Sequence, residues 1–154
     1  MTELVVVTID DQDTHPIDTS CWGKLAEAVL RGEGVTGSCE LNLTFIDVDE
    51  MTALNVAHME GDGPTDVLSF PLDDDDGEVF ADQPRLLGDV MICPEVVHKQ
   101  APDDPDAEMA LMVVHGVLHI LGMDHQDADE TIEMKAAEQR HLGRWRSRAH
   151  EDAP

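Results

Sequence analysis

Tyrosine is absent from this chain, and aromatic residues make up only 3% of it. The core must therefore be filled by aliphatic side chains and by eight methionines rather than by stacked rings. Basic residues are also scarce. Nine Lys and Arg stand against 34 Asp and Glu, a formal net charge of −25. Such a surface stays soluble and repels polyanions, which excludes a non-specific nucleic-acid binder working through a broad basic face. Cysteine is limited to Cys21, Cys39 and Cys93, with no metal-type pairing, so free, reduced thiols are expected. No apolar run is long enough for a bilayer; the longest, Met109 to Met123, is interrupted by His115 and His119. Met1 to Leu4 has no basic segment ahead of an apolar one, so no secretory signal is expected and the chain reads as cytoplasmic.

What is present fits one domain over residues 1–154, with 42% hydrophobic residues. The basic residues are unevenly placed. Lys135, Arg140, Arg144, Arg146 and Arg148 crowd the last stretch, as a local patch or as ion pairs with Glu133 and Glu138. Period and punctuation predict four strands: Glu3–Ile9, Cys39–Ile46, Thr65–Phe70 and Leu87–Cys93. Helices are expected from Asp18 or Thr19 to Arg31, from an Asp49 cap to Gly61, and from Pro94 to Gln100. Two more are expected from Asp106 to Leu121 and from Ala128 to Trp145. The stretch Leu72 to Pro84, with its run Asp73–Asp76, reads as a solvated loop without a calcium pattern. The fold class is α+β, a four-stranded sheet packed with helices.

His115, His119 and His125 carry the chemistry. The first two lie four residues apart in an apolar helix, which puts both imidazoles on one face, a turn apart. Gly122 can cap that helix in the left-handed conformation, letting the chain turn back and present His125. Three imidazoles with an open fourth position suit one Zn²⁺, and another divalent transition metal such as copper, nickel or iron(II) would also accept them. The spacing matches that of a zinc-protease helix, but the position of that motif's general-base glutamate is Gly116. The metal cage is there and the peptidase base is not.

Three stretches together resemble the YbeY family: Pro64-Thr-Asp-Val-Leu-Ser-Phe-Pro71, Leu87-Gly-Asp-Val-Met-Ile92, and His115 to His125. The resemblance spans almost the entire chain. It implies a four-stranded mixed sheet with helices and a zinc held by His115, His119 and His125. It also implies a cytoplasmic, single-strand-specific endoribonuclease that matures the 3′ end of small-subunit ribosomal RNA and serves ribosome quality control. The implied partners are single-stranded and ribosomal RNA, the small ribosomal subunit and a ribosome-associated GTPase, with no DNA and no membrane. One departure stands out. Many members carry Arg-Gly-Lys-Asp before the Pro-Thr pair; here the residues are Met59-Glu60-Gly61-Asp62. A guanidinium that would steady a phosphoryl oxygen is missing, unless Arg85 or the basic tail replaces it.

With Gly116 in place of a base, Asp124 beside His125 and Asp66 on the third strand are the candidate proton acceptors. Each could instead hold a turn or a backbone amide. Asp89 could accept the second N–H of a ligand histidine. Ser69 could bind substrate or satisfy the strand end. His58, His98 and His141 have no partner spacing and default to surface or core. The competing reading is a non-catalytic ribosome assembly factor with a structural or relic metal.

Overall fold

Four strands build the sheet, each where branched and apolar residues recur. These are β1 (Leu4–Asp11), β2 (Cys39–Ile46), β3 (Val67–Pro71) and β4 (Arg85–Ile92). Their order is β1-β2-β4-β3. β1, β2 and β4 run parallel, and β3 pairs antiparallel to β4, so β3 is an edge strand. The sheet is mixed, as expected. The computed structural model describes residues 4–59, 61, 63–72 and 84–151, with backbone alone at 59 and 148–151. The acidic run Asp73–Asp76, Glu60 and Asp62 lie outside the described residues.

Five helices complete the chain: α1 (Thr19–Gly32), α2 (Val48–Met59), α3 (Pro94–Gln100), α4 (Pro105–Ile120) and α5 (Ala128–Glu151). α4 is the centre of the molecule. It packs on β3 and β4 and touches α1, α3 and α5. That is why Met109, Val113, Val114, Val117 and Leu118 are all buried along it. α2 covers a smaller apolar cluster formed by Ile46, Met51, Leu68 and Cys93. All three cysteines are free, and burial raises the pKa of the Cys93 thiol.

Two caps differ from the expected ones. Asp47, not Asp49, accepts the Glu50 N–H at 2.8 Å and starts α2. Asp104, not Asp106, accepts the Ala107 N–H at 3.1 Å, with Pro105 at the first helical position. In each case the carboxylate that sits in non-helical backbone just before the first turn takes the free N–H groups. Asp18 caps α1 as expected, accepting from the Cys21 N–H at 3.1 Å. β4 begins earlier than its apolar pattern, at Arg85, because Arg85 and Leu86 pair with Cys39 and Glu40 of β2. α5 outruns Trp145 to Glu151, since no Gly or Pro follows Trp145 before the helix ends.

α5 is fastened to the end of α1 by a polar clamp. Glu33 accepts from Arg140 at 2.9 Å and faces His141 Nε2 at 2.7 Å. His141 is buried, which settles its place in the core. Burial alone would raise the Glu33 pKa, but the His141 and Arg140 hydrogen bonds outweigh it and hold the carboxyl below its ordinary 4.5. The sign follows from that depression. The clamp contributes its full stability above about pH 4.5 and loses it as pH falls through the lower folded-state value. Thermal melts should therefore show wild type more stable than Glu33→Gln near neutrality, with the gap closing below about pH 4.5. A gap independent of pH would assign the clamp to packing alone.

Candidate metal centre

The three histidines predicted from spacing come together. Their ligand atoms lie within 4.8 Å of one another. His115 and His119 project from successive turns of α4, and His119 Nε2 faces His115 Nε2 at 3.1 Å. His125 arrives from the turn after α4. Gly122, at φ +96°, makes that turn possible. Its N–H bonds the His119 carbonyl at 3.0 Å, and the Met123 N–H bonds the Leu118 carbonyl at 3.0 Å. This paired closure is the Schellman arrangement, which requires the left-handed residue that glycine supplies.

The donor set fits a divalent ion. Nitrogens at about 2.0–2.1 Å from a tetrahedral ion stand roughly 3.3 Å apart, close to the His115–His119 spacing. Without an ion the same two nitrogens can share one proton as an N–H···N hydrogen bond, which an ion would replace. Burial, reinforced by the neighbouring His115 and His125 rings, holds His119 below the usual histidine range. Among the described residues no fourth protein ligand joins the group.

One residue in contact with the triad escaped the sequence reading. Glu138, on α5, places Oε1 3.2 Å from His115 Nδ1. Its side chain is only 12% exposed. A carboxylate there fixes the proton on Nδ1 and leaves Nε2 free to face the site. Sequence reasoning offered Asp89 for this task, or for a strand-end cap, and offered Glu138 only as one ion-pair partner for nearby cations. No hydrogen bond joins Asp89 to the three imidazoles among the described residues, and Arg140 pairs with Glu33 instead. Glu138→Ala should weaken metal affinity by about 10–100-fold, and Glu138→Gln should recover part of it. Competition with a chromophoric chelator reads this directly; equal affinity in all three proteins would remove Glu138 from the site.

The imidazoles open onto a cleft of about 440 Å³ walled by β3 and by the turn after α4. Both candidate acids line it, each tied by one oxygen. Asp124 Oδ1 accepts the His125 N–H at 2.8 Å, and Asp66 Oδ1 accepts the Val67 N–H at 2.8 Å. Ser69 donates its hydroxyl to the Gly116 carbonyl at 2.9 Å, pinning β3 to α4. No lysine or arginine lines the cleft among the described residues. Arg85 and the described basic residues of α5 are not among the residues that line it. Of the remaining histidines, His98 stacks on His15 with centroids 3.9 Å apart, and His58 meets Phe70 edge-on.

Comparison with known proteins identifies the family. The family model described as "Endoribonuclease YbeY" matches residues 8–146. The chain belongs to the YbeY endoribonuclease family. It is 41% identical over 151 residues to the endoribonuclease YbeY of Salinispora tropica, covering 92% of this chain and 96% of that one. The family member from Thermobifida fusca is 34% identical over 151 residues, covering 95% and 97%. The solution structure of a Thermotoga maritima protein is also similar, with a TM-score of 0.56 and 26% identity over 96% of each chain. The expected family and its mixed α+β fold are both borne out.

Proposed function

We propose that this chain, acting as one domain, is a zinc-dependent endoribonuclease that cleaves single-stranded RNA and matures the 3′ end of small-subunit ribosomal RNA. The observation that carries it is the convergence of His115, His119 and His125 at the floor of an open cleft, in a chain of this family. His115, His119 and His125 are the ligands in this reading, with Glu138 orienting His115. Family membership favours catalysis over an assembly factor with a relic site. So does the three-ligand geometry, since a purely structural zinc is normally closed by four protein ligands.

A divalent ion held there supplies positive charge to a phosphoryl oxygen and makes an attacking water or ribose hydroxyl easier to deprotonate. The protein must then take the proton. Gly116 offers no side chain. Asp124 is the carboxylate whose charge reaches His119, and its second oxygen has no partner among the described residues. We assign it the proton-accepting role, with Asp66 as the alternative. Val67, Leu68 and Pro71 supply the apolar part of the β3 wall.

The wider setting is a cytoplasmic one, with the small ribosomal subunit and a ribosome-associated GTPase as partners. No helix among the described residues is long and apolar enough to cross a membrane. The test is cleavage of a single-stranded RNA carrying the precursor 3′ end. Zinc-loaded, metal-stripped and His119→Ala proteins are compared. Cleavage by the loaded protein alone supports the proposal; equal cleavage by all three identifies a contaminating nuclease and overturns it.

A further inference from the structure

The cleft faces a substrate that carries negative charge, yet no cationic side chain lines it among the described residues. A phosphodiester in the act of cleavage gathers charge on its non-bridging oxygens, and something besides the ion must meet it. The remaining donors are backbone amides.

Among the described residues β3 is an edge strand that pairs with β4 alone. The phase of that ladder is fixed at both ends. The Cys93 N–H bonds the Asp66 carbonyl at 2.9 Å, and the Leu72 N–H bonds the Leu87 carbonyl at 3.1 Å. In an antiparallel pair, residues alternate between pointing both backbone groups at the partner and pointing both away. Asp66, Leu68, Phe70 and Leu72 therefore point inward, whereas Val67, Ser69 and Pro71 point outward. Val67 gives its outward N–H to the Asp66 carboxylate. Pro71 has none to give. The Ser69 N–H is left without a partner among the described residues. It stands in the wall of the cleft: Asp66, Val67, Leu68, Ser69 and Pro71 all line it regardless of which way their side chains alternate, so the strand's own edge is the wall. The Ser69 hydroxyl, bonded to the Gly116 carbonyl, holds that edge against the helix that bears His115 and His119.

We propose that the Ser69 backbone N–H donates to a non-bridging oxygen of the scissile phosphodiester, as the neutral counterpart of the missing guanidinium. The inference rests on the endoribonuclease reading for its substrate. The donor is preorganised by the sheet and requires no side chain to be ordered when RNA arrives.

Proline at residue 69 tests it. Proline is tolerated at edge positions whose N–H faces away from the ladder, and Pro71 already occupies that parity. Ser69→Pro deletes the N–H and the hydroxyl; Ser69→Ala deletes the hydroxyl alone. With zinc content and melting temperature checked, kcat for RNA cleavage should fall about 10²-fold further in the proline variant than in the alanine variant. Equal rates in two folded variants overturn the proposal. A second measurement needs no variant. Titrating zinc-loaded wild type with dimethyl phosphate should move the Ser69 amide proton downfield in a nitrogen–proton correlation spectrum. If other cleft amides shift and that of Ser69 does not, the donor is not Ser69 and the proposal fails. If wild type cleaves no RNA, the endoribonuclease reading fails by itself, and the titration still decides whether this amide takes a phosphate oxygen.

Discussion

Replacing His119 with alanine is expected to abolish metal binding and RNA cleavage together while leaving the fold in place. His119 is the middle of the three imidazoles: its ring centroid lies 4.5 Å from that of His115 and 5.2 Å from that of His125. Without it, His115 and His125 remain as loosely stacked rings with centroids 5.7 Å apart. Two ligands cannot hold an ion that three were shaped for. Losing an orienting partner alone costs about 10–100-fold in affinity, so losing a ligand costs more than that. Stability should change little in the metal-free state, because His119 is only half-buried, in the lining of the cleft. Elemental analysis, cleavage and circular dichroism on one preparation check all three points. Retained cleavage at wild-type rate would sink the metal-centred reading. A protein that unfolds, with or without added zinc, would make the residue structural.

The second large effect is expected at Gly116, where Gly116→Glu would restore the glutamate of the zinc-protease spacing. It should yield no peptidase and very little folded protein. A Cβ at residue 116 would meet Val90 Cγ1 at 2.6 Å, Val67 Cγ2 at 3.2 Å and Ser69 Oγ at 3.4 Å. Val90 is fully buried in β4, and its branched side chain cannot swing aside cheaply. Even Gly116→Ala should overpack the junction by about 1–3 kcal/mol, offset only by roughly 1 kcal/mol of helix propensity. A glutamate adds a carboxylate to be buried unpaired, at several kcal/mol more, which is a large part of a stability of about 5–15 kcal/mol. Urea unfolding of the alanine variant and soluble yield of the glutamate variant measure this. A glutamate variant as stable as wild type would show that the helix can lift off the sheet, and would reopen the protease comparison.

These residues show what the sequence makes readable. The metal triad was legible because its geometry is local: two histidines one turn apart on an apolar helix, then a glycine where the helix must end. Gly116 could be read as a missing base. That it is also the contact point of α4 with β4 depends on Val90, 26 positions earlier in the chain. Glu138 was hidden for a similar reason. It lies 23 residues beyond His115 on another helix, among charges that look like an ordinary solvated face. The misplaced caps of α2 and α4 fell within aspartate-rich runs, Asp47-Val-Asp49 and Asp103-Asp104-Pro-Asp106, where several carboxylates could serve and only backbone conformation chooses. The outward parity of Ser69 depends on the phase of a ladder, which no single strand records.

α5 touches both the clamp at Glu33 and, through Glu138, the ring of His115. Seating this helix and holding an ion at the histidines would therefore be linked through Glu138. A change that displaced Glu138 would weaken an ion held there, and by reciprocity the ion would favour the seated helix by the same factor. A helix that never enters the cleft would thus contribute to how firmly the centre holds its ion.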